Sequence, residues 1–181
     1  MRSMPIGALL LVVGFLWTAA PSRAERDGRH DFDFNLGTWN THIKYRHQAG
    51  VGPVSWVELN GTVTVRRIWN GKGFLEEIEA DGPTGHFEGL TIFLYNPQSH
   101  QWSQSFANSS NGTLDPPMVG EFRDGRGELV AQDAYHGKTA MVRGVWSQIT
   151  SNAHHFDEFF SYDGGKSWSP SFKAVLTRKA P

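Results

Sequence analysis

Cysteine is absent from the 181 residues of this chain, which excludes disulfide bonds and the attachment of a lipid to cysteine. A basic block is absent as well: 17 Lys and Arg residues are scattered among 18 Asp and Glu residues, and the formal net charge is −1. This balance argues against nucleic acid or an anionic membrane as a partner. No window of about twelve residues after the N-terminal segment keeps a helical period, because turn-forming residues interrupt it. We therefore expect a chain with little helix.

Aromatic residues and glycine are abundant: the chain has seven Trp, twelve Phe and twenty Gly residues. They belong to short segments of alternating polarity, separated by connectors such as DGPTG, RDGRG and DGGK that favour tight turns. Ten such segments occupy residues 41–47, 54–69, 74–80, 86–96, 100–107, 118–122, 127–134, 139–149, 154–162 and 171–178. We predict an all-β fold, an antiparallel up-and-down barrel of about ten strands, because closure leaves no edge strand; a β-sandwich is the alternative.

The N-terminus has the layout of a secretory signal peptide. Arg2 provides a positive start, residues 6–20 form an apolar run, and Ser22 and Ala24 put small residues at the positions that a signal peptidase reads. The run is short for a membrane span, and an uncleaved anchor is the alternative. We expect residues 1–24 to be removed and residues 25–181 to form a single domain without membrane insertion. The product should be periplasmic or secreted, since export without disulfides suits a bacterial periplasm.

Four segments resemble the landmarks of a large group of uncharacterised bacterial secreted proteins: HDFDFNLGTWN (30–40), VRRIWNGKG (65–73), PPMVGEF (116–122) and FSYDGGKSW (160–168). That group is similar to the calycins, which include the lipocalins, the fatty-acid-binding proteins and the haem-binding nitrobindins. The resemblance covers nearly the whole chain after residue 24 and implies a calycin-like barrel, with little information on activity. Within it, Gly37-Thr38-Trp39 resembles the first-strand motif in which the tryptophan closes one end of the barrel.

Metal and cofactor sites are not indicated by the motifs. The eight histidines are dispersed, and no HxH or HExxH spacing predicts zinc. In nitrobindin-like proteins a last-strand histidine binds the haem iron, and this chain has Ser171, Phe172 and Lys173 there. The segment from Ser161 to Trp168 resembles the Asp-box of sialidase propellers, but it occurs once, whereas a propeller repeats it in several blades. We expect no metal and no cofactor, and we expect Asp163 to cap the backbone of its own turn.

The polar residues of HHFDEFFSY (154–162) depend on strand register. Neighbouring side chains of a strand point to opposite faces, so the two histidines cannot both face one lumen. If the hairpin pairs Ser161 with Trp168, His155 and Asp157 take the inward face. A carboxyl among aromatic rings has a raised pKa and can act as a general acid or base. This register predicts a candidate catalytic pair, His155 and Asp157.

Two alternatives to that pair stay open. Asp157 could instead form a structural ion pair with Arg143 on the preceding strand, since buried charges are normally paired. A shift of one residue in the register would replace His155 by His154 and Asp157 by Glu158. Periodicity alone does not choose between the two registers.

Tryptophans on four different strands complete the predicted pocket. Small barrels bind flat apolar molecules with aromatic rings and a few polar groups. Besides His155 and Asp157, we expect the following side chains to line one lumen as ligand-binding residues: Trp56, Glu76, Trp102, Gln104, Arg143 and Trp146. The alternative for each ring is a place in a filled core.

Three functional classes are compatible with these patterns. The first is a secreted or periplasmic protein that binds a small apolar or aromatic molecule. The second is a cofactor-free enzyme, such as a lyase, isomerase or hydrolase, that uses a lumenal carboxylate and a histidine. The third is a structural or partner-binding envelope protein with a filled interior. A pocket would exclude the third class, and the effect of removing the lumenal carboxylate separates the first two.

Cleavage after Ala24 is the prediction that the N-terminal pattern generates. The order of Arg2, the apolar run and Ser22-x-Ala24 predicts that the exported protein begins at Glu25. Intact-mass spectrometry of protein from the native host measures this directly. A mass equal to that of the full chain would show that the segment is retained.

Overall fold

The computed structural model describes residues 27–47, 55–135 and 138–180, and in them ten antiparallel strands close into one barrel. The strands are β1 (Gly37–His47), β2 (Ser55–Ile68), β3 (Gly73–Gly82), β4 (Gly85–Asn96), β5 (Gln101–Asn108), β6 (Met118–Arg123), β7 (Arg126–Tyr135), β8 (Lys138–Ser147), β9 (Ala153–Ser161) and β10 (Ser169–Arg178). Each strand pairs with the next in the chain, and β1 pairs with β10. The predicted all-β up-and-down barrel is confirmed. The predicted signal peptide lies outside the described residues.

Alternation of side chains decides which residues reach the lumen. On β3, Phe74, Glu76 and Ile78 are buried, whereas Glu77 and Glu79 are exposed. A period of two sends alternate side chains to opposite faces of a strand. The outer face of β3 is therefore polar, and one polar residue of this strand, Glu76, is directed inward.

The segment before β1 closes one end of the barrel. It contains a short 3₁₀ helix, Asp33–Asn35, and we refer to residues 28–36 as the N-terminal plug. Phe32 at its centre is completely buried. Four rings of the barrel strands surround it, with centroid distances of 4.6 Å to Phe93, 5.1 Å to Trp102, 4.8 Å to Phe122 and 5.5 Å to Trp146.

Two indole N–H groups hold the plug in place. The Nε1 of Trp102 donates a hydrogen bond of 2.8 Å to the carbonyl oxygen of Gly28. The Nε1 of Trp39 donates one of 2.8 Å to the carbonyl oxygen of Asn35. The guanidinium of Arg178 lies 4.0 Å from the centre of the Trp39 ring, on the side of the last strand. Trp39 thus lies at the closed end, where the calycin resemblance implies it.

The β9–β10 hairpin turn is built around Asp163, as the sequence predicts. Its Oδ1 accepts hydrogen bonds from the backbone N–H groups of Lys166 (3.0 Å) and Ser167 (2.9 Å). Hydrogen bonds from the side chain and backbone of Ser167 lower the pKa of Asp163 to about 2. Gly164 and Gly165 have φ values of 73° and 87°, a region that favours glycine. The resemblance to the Asp-box therefore corresponds to a capped turn.

The register of this hairpin changes partway along β10. The strand starts in the predicted register, with Ser169 opposite Phe160, but a β-bulge follows Pro170 and Phe172 then lies opposite Glu158. Proline has no N–H to donate to a ladder and is common at bulges. From the bulge onward every β9 partner differs by one residue from the predicted one.

Among the described residues, no helix is long and apolar enough to span a membrane.

Truncation of Phe32 should destabilise the barrel strongly. Phe32→Ala removes the ring that four aromatic side chains contact, so we expect the free energy of unfolding to fall by about 3–5 kcal/mol. Urea denaturation followed by circular dichroism measures the change. Trp69→Ala, which removes a ring that is 67% exposed, is the control and should cost less than about 0.5 kcal/mol. Equal losses in the two variants would contradict the assigned role of the plug.

Candidate functional site

A cavity of about 630 Å³ fills the upper part of the lumen, above the N-terminal plug. Its wall is mainly apolar and includes Val63, Ile78, Met118, Val142 and Leu176. At the end opposite the plug it reaches the exposed loop 109–117 between β5 and β6. The barrel therefore has a closed end and an end with a rim of loop residues.

Glu76 is a buried carboxyl in the cavity wall. Its Oε2 accepts a hydrogen bond of 3.0 Å from Nδ2 of Asn35, and its Oε1 accepts one of 2.9 Å from Oγ1 of Thr91. Burial raises the pKa of Glu76, and the two hydrogen bonds oppose that change. The plug residue Asn35 thus fixes the orientation of a polar group in the lumen.

Gln104 and Trp146 form a second polar contact of the wall. The Nε1 of Trp146 donates a hydrogen bond of 3.0 Å to Oε1 of Gln104. The Trp146 ring also packs 4.8 Å from the ring of Phe156. Glu76, Gln104 and Trp146 are the predicted pocket residues that line the cavity. Their role in binding stays a prediction.

Trp102 faces inward but lies below the cavity. It is completely buried, and its ring lies 5.5 Å from Phe74 and 5.2 Å from Tyr95. Together with its contacts to the plug, this position makes Trp102 part of the closed end. It is not among the lining side chains.

The predicted inward direction of His155 and Asp157 is wrong. The bulge after Pro170 places Asp157 opposite Lys173 and His155 opposite Val175, and both partners are exposed on the outer face of β10. The prediction extended the register of the hairpin turn along the whole strand. One extra residue in β10 was enough to exchange the two faces of β9.

Trp56 and Arg143 also lie on the outer face, contrary to the predicted pocket. The inward residues of β2 are odd-numbered and those of β8 even-numbered, so Trp56 and Arg143 have the outward parity. The Arg143 guanidinium lies 4.2 Å from the centre of the Trp168 ring and 3.9 Å from Oε1 of Glu128. The Nζ of Lys173 lies 6.0 Å from the centre of the Trp56 ring. The structural alternative of an ion pair between Arg143 and Asp157 is therefore wrong as well.

Glu158 is the carboxyl that β9 presents to the cavity. Ser171, the extra residue of the bulge, donates hydrogen bonds from Oγ to Oε1 of Glu158 (3.0 Å) and to its carbonyl oxygen (3.1 Å). Burial raises the pKa of Glu158 to about 7, the Ser171 hydrogen bond opposes the rise, and the charges of Asp115 and Asp133 add to it. The lumen therefore contains a carboxyl that titrates near neutral pH.

His154 takes the inward position on β9, but at the closed end. Its ring is completely buried, 4.4 Å from Trp39 and 5.0 Å from Phe34. Burial, with a smaller contribution from the charges of Arg178 and His155, lowers its pKa to about 3. His154 is thus neutral at physiological pH and packs as an aromatic ring beneath the cavity.

Sequence reasoning missed several polar residues of the wall. Thr41 is 4% exposed and lines the cavity, and its hydroxyl has no hydrogen-bond partner within the described part of the chain. It shares the parity of Trp39 and Ile43, so alternation could have found it. Asp115 lies in a loop, where periodicity carries no information, and its contribution to the rim is visible only in three dimensions.

Metal ligands are not clustered in residues 27–47, 55–135 and 138–180: no group of three or more His, Asp or Glu side chains there could hold a metal ion.

Comparison with known proteins finds solved structures with a similar fold. The chain matches no protein-family model, and no curated protein is similar to it in sequence. The solved structure of the S-type phycobiliprotein lyase CPES from Guillardia theta has a TM-score of 0.55 at 13% identity, over 83% of this chain and 91% of that one. The redesigned β-barrel mFAP0, bound to DFHBI, has a TM-score of 0.45 at 10% identity, over 80% of this chain and 99% of that one. At this identity the likeness to the lyase shows a shared barrel fold.

Proposed function

We propose that the protein is a secreted or periplasmic barrel that binds a small, largely apolar or aromatic molecule in its lumen. The observation that carries the proposal is the cavity of about 630 Å³ above the N-terminal plug. Ligand sites of this size combine apolar walls with a few oriented polar groups. Here Glu76 and Gln104 are oriented by hydrogen bonds, and Glu158 faces the same space. A structural protein with a filled interior would not leave such a cavity.

The export part of the proposal rests on the N-terminal pattern alone. The apolar run and the small residues Ser22 and Ala24 support secretion. The barrel fold supports the lumen as the place of binding, because a barrel with one closed end offers a ligand a single enclosed space.

An acid–base enzyme without a cofactor is the second candidate, and Glu158 is the observation that favours it. General acids and bases work best when their pKa lies near the operating pH. The pKa of Glu158 is raised to about 7, and its carboxyl faces the cavity. His155 and Asp157 cannot take part, because they lie on the outer face. In this candidate Glu158 would exchange a proton with the bound molecule.

Filling the lumen should abolish binding of a neutral aromatic probe. Ala131 lines the cavity, and the next residue toward the N-terminus, Val130, is 41% exposed on the outer face. We expect N-phenyl-1-naphthylamine to bind with a rise in its fluorescence, and Ala131→Trp to weaken that binding by about tenfold or more, since the larger ring occupies the ligand space. Fluorescence titration gives both dissociation constants.

Val130→Trp is the matched control for this experiment. It adds the same ring on the opposite face of β7 and should leave the affinity within about twofold. Circular dichroism establishes that both variants keep the barrel. If Ala131→Trp binds the probe as tightly as the unchanged protein, the lumen is not the binding site.

Glu158→Gln should remove a pH-dependent loss of stability. The carboxyl titrates near 4.5 in the unfolded chain and near 7 in the barrel, so between these values only the folded state holds the proton. The free energy of unfolding therefore falls as the pH rises from about 4.5 through about 7. The melting temperature of Glu158→Gln, compared with the unchanged protein, should be nearly equal at about pH 4 and higher by about 5–10 °C at about pH 8.

Asp157→Asn controls for the loss of a carboxyl from the same strand. Asp157 neighbours Glu158 but faces outward, so its removal leaves the cavity wall unchanged and should not reproduce the effect of Glu158→Gln. A pH-independent difference for Glu158→Gln would mean that its carboxyl is solvated and would remove the support for the enzymatic candidate.

A further inference from the structure

Acidic groups dominate the charged part of the cavity wall. Among the described residues that line it, the carboxyls are Glu76, Asp115, Asp133 and Glu158, and the basic side chain is Arg46. Glu158 accepts its hydrogen bond from the neutral hydroxyl of Ser171, and a carboxylate in an apolar enclosure is costly without a counter-charge. The composition of the wall therefore favours a ligand that brings positive charge.

Three of these carboxyls, Asp115, Asp133 and Glu158, influence one another electrostatically, and we refer to them as the rim acids. Partial desolvation raises the pKa of Asp115, which lies in the exposed loop 109–117, and the negative charge of Asp133 raises it further. Both aspartates also raise the pKa of Glu158. These three carboxyls come from the 109–117 loop, β7 and β9, so the fold brings them to one region of the cavity. A cation among them would relieve both the desolvation and the mutual repulsion.

Thr41 independently indicates that a polar atom of the ligand contacts the cavity wall. Its side chain is 4% exposed and lines the cavity, and in the described residues no group pairs with its hydroxyl. Buried hydroxyls in proteins normally have a hydrogen-bond partner. On β1 it lies between Gly61 and Leu176 of the neighbouring strands, on a side of the barrel that the three rim acids do not occupy. A ligand that contacts both the Thr41 hydroxyl and the rim acids therefore has two separated polar groups.

We propose that the lumen selects an amine: a protonated primary or secondary nitrogen carried on an aromatic or alicyclic body. The ammonium group lies among Asp115, Asp133 and Glu158, and the body contacts the apolar wall. A hydroxyl or carbonyl group of the body contacts Thr41. Ligands with a carboxylate, fatty acids included, are disfavoured because their charge would meet the same acids. The inference rests on the proposed binding function and names the ligand class.

Three probes with one ring system and different head-group charge test this selection. They are 1-naphthylmethylamine, which is cationic at about pH 8, the neutral 1-naphthylmethanol and the anionic 1-naphthoate. Isothermal titration calorimetry on the mature chain gives the three affinities. We expect the amine to bind about tenfold more tightly than the alcohol, and the carboxylate to bind most weakly.

Substitutions on β9 test whether the preference for the amine depends on the rim acids. Glu158→Gln should reduce the preference for the amine over the alcohol to less than about threefold. Asp157→Asn, which removes the neighbouring outward carboxyl, should leave the preference unchanged. If the alcohol binds as tightly as the amine, or if Asp157→Asn changes the preference as much as Glu158→Gln does, the amine class is wrong and the binding function stands. If none of the three probes binds, the proposed binding function fails, and the ligand class fails with it.

Discussion

The packing of Phe32 at the closed end is the constraint on which the cavity depends. A barrel of ten strands has a lumen that is open at both ends unless something fills one of them. Here the N-terminal plug does so, with Phe32 among aromatic rings and with Trp39 and Trp102 donating to plug carbonyls. The polar backbone of the plug is thereby satisfied in a buried place. Because the plug and its aromatic neighbours fill one end of the lumen, the cavity occupies the other end.

The plug also contributes to the chemistry of the cavity. Asn35 reaches from the plug to Glu76 and holds one of its oxygens, while Thr91 holds the other. A carboxyl with both oxygens bonded has a defined orientation even where burial raises its pKa. Closure of the barrel and orientation of a lumenal polar group are thus both achieved by the N-terminal plug.

The β-bulge after Pro170 determines which carboxyl the lumen contains. In the register of the hairpin turn Asp157 would face inward, and after the bulge Glu158 does. The extra residue, Ser171, donates to that carboxyl from the same wall. Bulges are common where a strand must redirect a side chain. A desolvated acid reduces stability, so its presence beside a cavity is typical of a site where local stability is traded for function.

The class of the fold was determined by the sequence alone. Alternation and turn formers are properties of neighbouring residues, so ten strands and the Asp163 turn could be predicted, as could the inward faces of Glu76 and Gln104. The tertiary structure decided the rest. Asp115 reaches the rim from a loop that has no periodicity, and the exchange of Asp157 for Glu158 depends on one extra residue in a partner strand. Register is a property of two paired strands, and since side chains alternate with a period of two, a shift of one residue reverses every face.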